Sequence, residues 1–381
     1  MVAYLDNAAT TPMRPEAVEA MLPFLTEDFG NPSGSHPSAR RARRAVDEAR
    51  EAMAQVCGCE PGEIVFTSGG TEADNHAVFG IVERRGGSVV CSAVEHHAVL
   101  EPVEALGGRV VPVDEHGVID LDALAAALDD SVTLVSVMLA NNEVGTIQPL
   151  SEIAEIVRRR APDAAFHSDA VQALTWLDVA GLCSPVDLLS LSAHKFGGPK
   201  GVGLLMVRSG VEPAPRLLGG GQERERRSGT HNVAGIVAMS VAAQSALRER
   251  TEVVRRVGRL RDRLADGLRL VPDAIETGVP LRDGVPDRSG KITGNCHFCF
   301  PGIEAEALLF LLEESGIHAS AASACTSGAQ DPSHVLAAMG VPRRAAKGSL
   351  RLSLGRETTD VDVELALEAV PAAVERLRMF R

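Results

Sequence analysis

Short apolar runs alternate with longer helical patterns through the first two-thirds of the chain, and few folds accept that order. Strand-like runs fall at 63–67, 88–92, 109–113, 134–140, 165–169 and 188–192, with helical stretches such as 72–84, 121–128 and 151–159 between them. The alternation predicts an α/β fold built on a largely parallel sheet. Such a sheet leaves the carboxyl ends of its strands as the place for ligands. From about Thr251 the pattern changes. A charged helix at about 251–270 leads into a Pro/Gly/Asp-rich segment at 271–290. Short strands at 295–300 and 349–354 follow, with helices near 304–315 and 359–379. That second pattern predicts a smaller α+β domain, and 381 residues suffice for both.

Charge and cysteine usage narrow the function. With 51 acidic and 38 basic side chains the formal net charge is −13, which argues against a broad nucleic-acid-binding surface. The densest basic run, Arg40-Arg41-Ala42-Arg43-Arg44, continues into Asp47, Glu48 and Glu51 in a helical pattern and reads as a solvated face. No apolar run approaches membrane-spanning length, and Met1-Val2-Ala3-Tyr4-Leu5-Asp6 lacks a signal-peptide pattern. Seven cysteines without regular spacing do not look like a secreted disulfide framework. A cytoplasmic protein with free thiols and no membrane partner is the expectation.

Only four of the 38 basic residues are lysines: Lys195, Lys200, Lys291 and Lys347. Arginine stays charged, whereas a lysine amine can lose its proton and attack a carbonyl. Lys195 follows the apolar run in Leu189-Ser190-Leu191-Ser192-Ala193-His194-Lys195 and reads as a Schiff-base lysine. Alone it would read as a solvated loop residue, but other segments supply what a pyridoxal phosphate site requires. Thr67-Ser68-Gly69-Gly70-Thr71 joins a strand to a helix, where glycines let helix-terminal amides approach a phosphate. Asp169 ends the apolar strand of Phe166-His167-Ser168-Asp169 and calls for a positive partner such as a protonated pyridine nitrogen. Capping of a following helix is its competing role. Gln172 could bond the ring hydroxyl. His96, after another strand end, is placed to cover the ring and to move protons.

Cys325 lies in Ser323-Ala324-Cys325-Thr326-Ser327-Gly328, a run of small and polar residues with the composition of a loop. An accessible thiol there can serve as a nucleophile. The other six cysteines read as structural, and no metal site is expected. Cys296 and Cys299 diverge if they sit three apart on a strand, and a two-residue offset separates Cys57 from Cys59 at a helix end.

Taken together, these segments resemble the cysteine desulfurases of the class-V aminotransferase family, and more closely their NifS/IscS-like group. The resemblance runs from Tyr4-Leu5-Asp6-Asn7-Ala8-Ala9-Thr10-Thr11-Pro12 through Phe29-Gly30-Asn31-Pro32-Ser33, Asn141-Asn142-Glu143-Val144-Gly145 and Arg227-Ser228-Gly229-Thr230 to Ser353-Leu354-Gly355-Arg356. It implies a fold-type-I PLP-dependent transferase and a homodimer with active sites near the subunit interface. A large PLP-binding domain at 15–251 would be joined by a small domain of 1–14 and 252–381 carrying the cysteine loop. The implied reaction converts L-cysteine to L-alanine and leaves the sulfur on Cys325 as a persulfide. A sulfur-acceptor protein would then take it, in iron–sulfur cluster assembly, tRNA thiolation or DNA phosphorothioation, with no direct nucleic-acid contact.

The resemblance also assigns roles. Lys195 would bind the cofactor, Asp169 its ring nitrogen and Gln172 its ring hydroxyl, with His96 stacked on the ring. Gly70, Thr71, Ser192 and His194 would hold the phosphate, with Thr230 reaching in from the partner subunit. Arg356, assisted by Asn142, would clamp the substrate carboxylate. The group often has Ser-Gly where this chain has Ala321-Ala322, which implies a stiffer cysteine loop.

Overall fold

The computed structural model describes residues 2–321 and 333–379. Seven strands form its central sheet: β1 (Ile64–Thr67), β2 (Ser88–Ser92), β3 (Arg109–Val111), β4 (Val132–Ser136), β5 (Ala165–Asp169), β6 (Leu188–Ser192) and β7 (Gly203–Val207). Their order is β1-β7-β6-β5-β4-β2-β3; β7 is antiparallel to both neighbours and the other pairings are parallel. The α/β reading therefore holds. β4 ends at Ser136, short of the expected 140, but pairing continues irregularly as Val137 and Leu139 donate to the carbonyls of His167 and Asp169.

The strands are mostly apolar and buried because both faces of the sheet are covered. On one face Ile64, Phe66, Leu189, Leu191, Leu204 and Met206 share a core with helix α1 (Pro37–Cys57), through its Ala42, Val46, Ala49 and Met53. On the other, Val65, Val89, Leu188 and Leu205 meet α2 (Gly70–Arg85) and α3 (His97–Ala105). Proline at the first position of α1 suits its fixed φ, and the His36 ring caps the Ala39 amide. The four arginines of the 40–44 run lie exposed while Ala42 is buried, as a solvated helix face requires.

A second core surrounds an antiparallel sheet in the order β10-β9-β8, where β8 is Ile275–Glu276, β9 Asn295–Cys299 and β10 Ser349–Ser353. The long helix α4 (Val233–Leu268) joins the two cores. Its Ala238, Met239, Ala242 and Ala246 belong to the first, and its Val253, Val257, Leu260 and Leu264 to the second. Ala3 and Leu5 also pack in the second core, and Ala3–Tyr4 pairs with Ile317–His318. On that division we propose the large unit 15–251 and the small unit of 1–14 and 252–381. The sequence places the start of α4 near Thr251, but Asn232 caps it at Val233. Its first half is buried on most sides and so lacks the charged stripe that marks a surface helix. Cys296 and Cys299 do diverge, into different cores.

Gly203 ties the sheet to the loop after β1. A Cβ at this position would lie 2.6 Å from the Leu191 carbonyl oxygen and 2.8 Å from Gly69 backbone. Gly203→Ala should therefore cost about 1–3 kcal/mol by overpacking, read as a lower urea midpoint at unchanged slope. Gly290→Ala, where a Cβ meets open space, should stay within about 0.5 kcal/mol.

Candidate active site

The parallel strands bring their carboxyl ends to one edge, and a cavity of about 360 Å³ opens there. At one end of it β1 gives way to Gly69 and Gly70 at the start of α2. A Cβ on Gly70 would lie 2.8 Å from Val171 Cγ2, so the close approach requires glycine. The Gly70 and Thr71 amides belong to the first turn of a sixteen-residue helix, where intrahelical acceptors are lacking. Ser192 and His194 line the same cavity. His194 Nδ1 lies 3.1 Å from Thr10 Oγ1, and burial, with Lys195 and Lys200 nearby, lowers the pKa of this histidine to about 4.

At the heart of the cavity Asp169 ends β5, 5% exposed, its Oδ1 accepting the Val171 amide at 2.8 Å. No helix follows directly, which removes the capping role; the chain turns through 171–176 instead. Burial pushes the Asp169 pKa up to about 6, while that amide and the nearby Lys195 work against it. Behind it stands Asp74 of α2, raised well above the usual range by burial and by Asp169 itself. His167 lies 3.6 Å from Asp74 Oδ1, held between Ser136 Oγ at 2.8 Å and Ser190 Oγ at 3.0 Å. Burial lowers its pKa to about 3, so this imidazole is neutral and does not offset the acids. With Asp74 held protonated by burial and by its neighbour, Asp169 is the carboxyl of the two that faces Lys195.

Lys195 ends a short 3₁₀ turn after β6, and its Nζ donates to the carbonyls of Ala8 at 2.6 Å and Ala9 at 3.0 Å. Gln172 Nε2 donates to the same Ala8 carbonyl at 2.9 Å. His96 caps α3, its Nδ1 accepting the Ala98 amide at 3.1 Å. Burial, then Lys195, lowers its pKa to about 4, so the ring is neutral and carries its hydrogen on Nε2.

Asn142 lines the cavity as well, but Arg356 does not. That arginine lines an adjoining pocket that shares Ala8, Gln172 and Lys195 with the cavity, and it ion-pairs with Glu357. Arg351, which the sequence reading did not single out, lines the cavity itself. It is 5% exposed, its Nη2 lies 2.9 Å from Asp6 Oδ1, and its Nη1 donates to the Asn142 carbonyl at 3.1 Å. Its Nε has no partner among the described residues. One signal could have found it: Arg351 is the single charge within the buried strand β10. Thr230 is exposed and outside the cavity, and Cys325 lies outside the described residues.

The class-V aminotransferase family matches residues 3–366. The chain belongs to that family. It is 46% identical over 383 residues to cysteine desulfurase IscS of Methanosarcina thermophila, covering 98% of this chain and 92% of that protein. Among solved structures, a NifS-like protein superposes with a TM-score of 0.90 at 38% identity, covering 99% of this chain and 100% of that one. SspA in complex with cysteine gives 0.76 at 30% identity, covering 94% and 100%. The family depends on pyridoxal phosphate, and the lysine, buried acid and glycine-opened helix terminus of this cavity fit that group.

An acid whose folded pKa is about 6, against about 3.9 when unfolded, binds more protons folded than unfolded between those values. Protein prepared without cofactor should thus lose roughly 2–3 kcal/mol through Asp169 as pH rises from about 4 to about 6. Asp169→Asn should remove that component, measured by urea unfolding across the window. Equal slopes in both proteins would contradict the burial of this acid.

Proposed function

We propose that this cavity binds pyridoxal phosphate and L-cysteine, and that the chain works as a cysteine desulfurase which releases alanine and retains sulfur on Cys325. The observation that carries the reading is the meeting of Lys195, Asp169 and the N-terminus of α2 in one cavity. Bound there, the cofactor supplies an aldehyde for Lys195 and an electron sink for the charge left at the substrate Cα.

The chain's own residues do the rest. Gly70, Thr71, Ser192 and His194 hold the phosphate; Asp169 keeps a proton on the ring nitrogen, the state in which its own charge is paired. Gln172 reaches the ring hydroxyl, and neutral His96 stacks on the ring. Arg356, with Asn142, orients the substrate carboxylate; it lines a pocket that shares Lys195 and Gln172 with the cavity. Lys195 moves the proton at the substrate Cα. The Cys325 thiolate attacks the substrate sulfur, and the Cβ–S bond breaks with its electron pair on carbon. That carbon takes a proton to become the methyl group of alanine, and the sulfur stays on Cys325 as a persulfide.

An acceptor protein takes the persulfide sulfur, for iron–sulfur cluster assembly, tRNA thiolation or DNA phosphorothioation; the net charge of −13 favours a protein over direct nucleic-acid contact. The exposed Thr230 is proposed to reach the phosphate site of a second copy in a homodimer. No helix among the described residues is long and apolar enough to cross a membrane, and we place the enzyme in the cytoplasm.

Given L-cysteine, the purified protein should release alanine and carry a persulfide at Cys325. Cys325→Ser should abolish the persulfide while the cofactor's visible absorption persists; a persulfide formed without Cys325 would sink the assignment. Arg356→Lys, which keeps the charge but not the planar fork, should lower kcat/KM by about 10- to 150-fold, the worth of a charged hydrogen-bond pair of about 1.5–3 kcal/mol. An unchanged kcat/KM would pass the clamp to Arg351, the buried arginine on the cavity wall.

A further inference from the structure

The first turn of α2 carries two conflicting demands. Its N-cap, Gly69, has no side chain to cap the helix, so the amides at its start remain for the cofactor phosphate. Yet Glu72 stands in the same turn, and its Oε2 accepts the Ser68 amide at 2.8 Å, which fixes the carboxylate against the loop that opens the helix. A carboxylate there suits the helix dipole but repels a phosphate dianion. Arg227 meets it with a two-pronged pair: Nε lies 2.7 Å from Glu72 Oε1 and Nη2 3.1 Å from Oε2. Burial would raise the Glu72 pKa, but Arg227 and the Ser68 amide outweigh it and hold the carboxyl below its usual range.

Other contacts fix the segment that brings Arg227 here. Glu223, 6% exposed, accepts the Phe66 amide at 2.9 Å and Arg50 Nη2 at 2.6 Å, and its Oε1 lies 2.7 Å from His231 Nε2. Arg226 Nη2 donates to the carbonyls of Gly62 at 2.8 Å and Ile64 at 3.1 Å. Between these anchors Glu223, Arg224 and Glu225 hold positive φ of 50°, 57° and 66°. Three such residues with side chains are strained, and strain of that kind persists only where the surroundings over-determine it. The segment is therefore held against β1 without the Arg227 fork.

We propose that Arg227 is a positioning residue for the cofactor phosphate: it neutralises Glu72 and holds that carboxylate on the Ser68 amide, leaving the first turn of α2 to the phosphate. The inference rests on the phosphate site proposed at Gly70 and Thr71. Arg227 touches neither cofactor nor substrate and acts through Glu72.

The test titrates cofactor-stripped protein with pyridoxal phosphate and, separately, with pyridoxal, which lacks the phosphate, following the visible absorption of the bound group. Arg227→Gln should weaken pyridoxal phosphate by about 5- to 30-fold, the range for a charge at a helix end, and leave pyridoxal within about twofold. Arg227→Lys, which restores the charge, should recover most of that loss. Combining Glu72→Gln with Arg227→Gln removes both charges while an amide oxygen still accepts the Ser68 N–H. That double variant should bind pyridoxal phosphate within about threefold of the unsubstituted protein. Unchanged pyridoxal phosphate binding in Arg227→Gln, an equal loss for both ligands, or a double variant no better than Arg227→Gln would overturn the proposal. Unsubstituted protein that takes up neither ligand would instead overturn the cofactor site on which it rests.

Discussion

A carboxylate buried at the end of a strand is tolerable only beside positive charge, and Asp169 places that demand at the centre of the molecule. Asp74 sharpens it, because two adjacent buried acids cannot both ionise without compensation. His167 beneath them is neutral, so the compensation has to come from the cavity side, where Lys195 lies. The walls of the cavity are arranged around that demand: an amine on one side, an anion-binding helix terminus at one end, and a buried guanidinium from the second core. A cofactor with a basic ring nitrogen, an aldehyde and a phosphate answers the acid, the amine and the helix terminus.

The sheet makes this convergence possible. Parallel strands deliver the ends of β1, β5 and β6 to one edge, so residues far apart in sequence meet without long loops. β7, running the other way between β1 and β6, opens with a glycine because anything larger would press on the turn that starts α2. The second core contributes from across the cavity, with Arg351 on β10 reaching Asp6 and the Asn142 carbonyl. The cavity is thus walled from both sheets, by Asp169 from the first and Arg351 from the second.

Much of this was legible in the sequence, for identifiable reasons. β2, β5 and β6 fall on the expected residues because a strand buried on both faces is an unbroken apolar run between turn residues. The cavity residues at strand ends were legible because polar side chains there interrupt such runs. β7 is an apolar run too, but the Gly-Gly-Pro-Lys-Gly sequence before it reads as a loop that hides where the strand begins. The first half of α4 stayed hidden because burial on most sides erases the helical period. Arg351 and Arg356 sit in one short motif, and only the three-dimensional course of the chain puts the first on the cavity wall and the second in the adjoining pocket that shares Lys195.

The most direct measurement is to load the protein with pyridoxal phosphate, trap the adduct with borohydride and map which lysine carries it. The chain makes the answer sharp because it has only four lysines. Lys291 is buried against the Thr277 carbonyl and Lys347 pairs with Glu304, both in the second unit. Label on Lys195 alone, lost in Lys195→Ala, is what the convergence of Asp169, Gly70 and Lys195 on one cavity predicts. Label on Lys200, Lys291 or Lys347, or none, would contradict it.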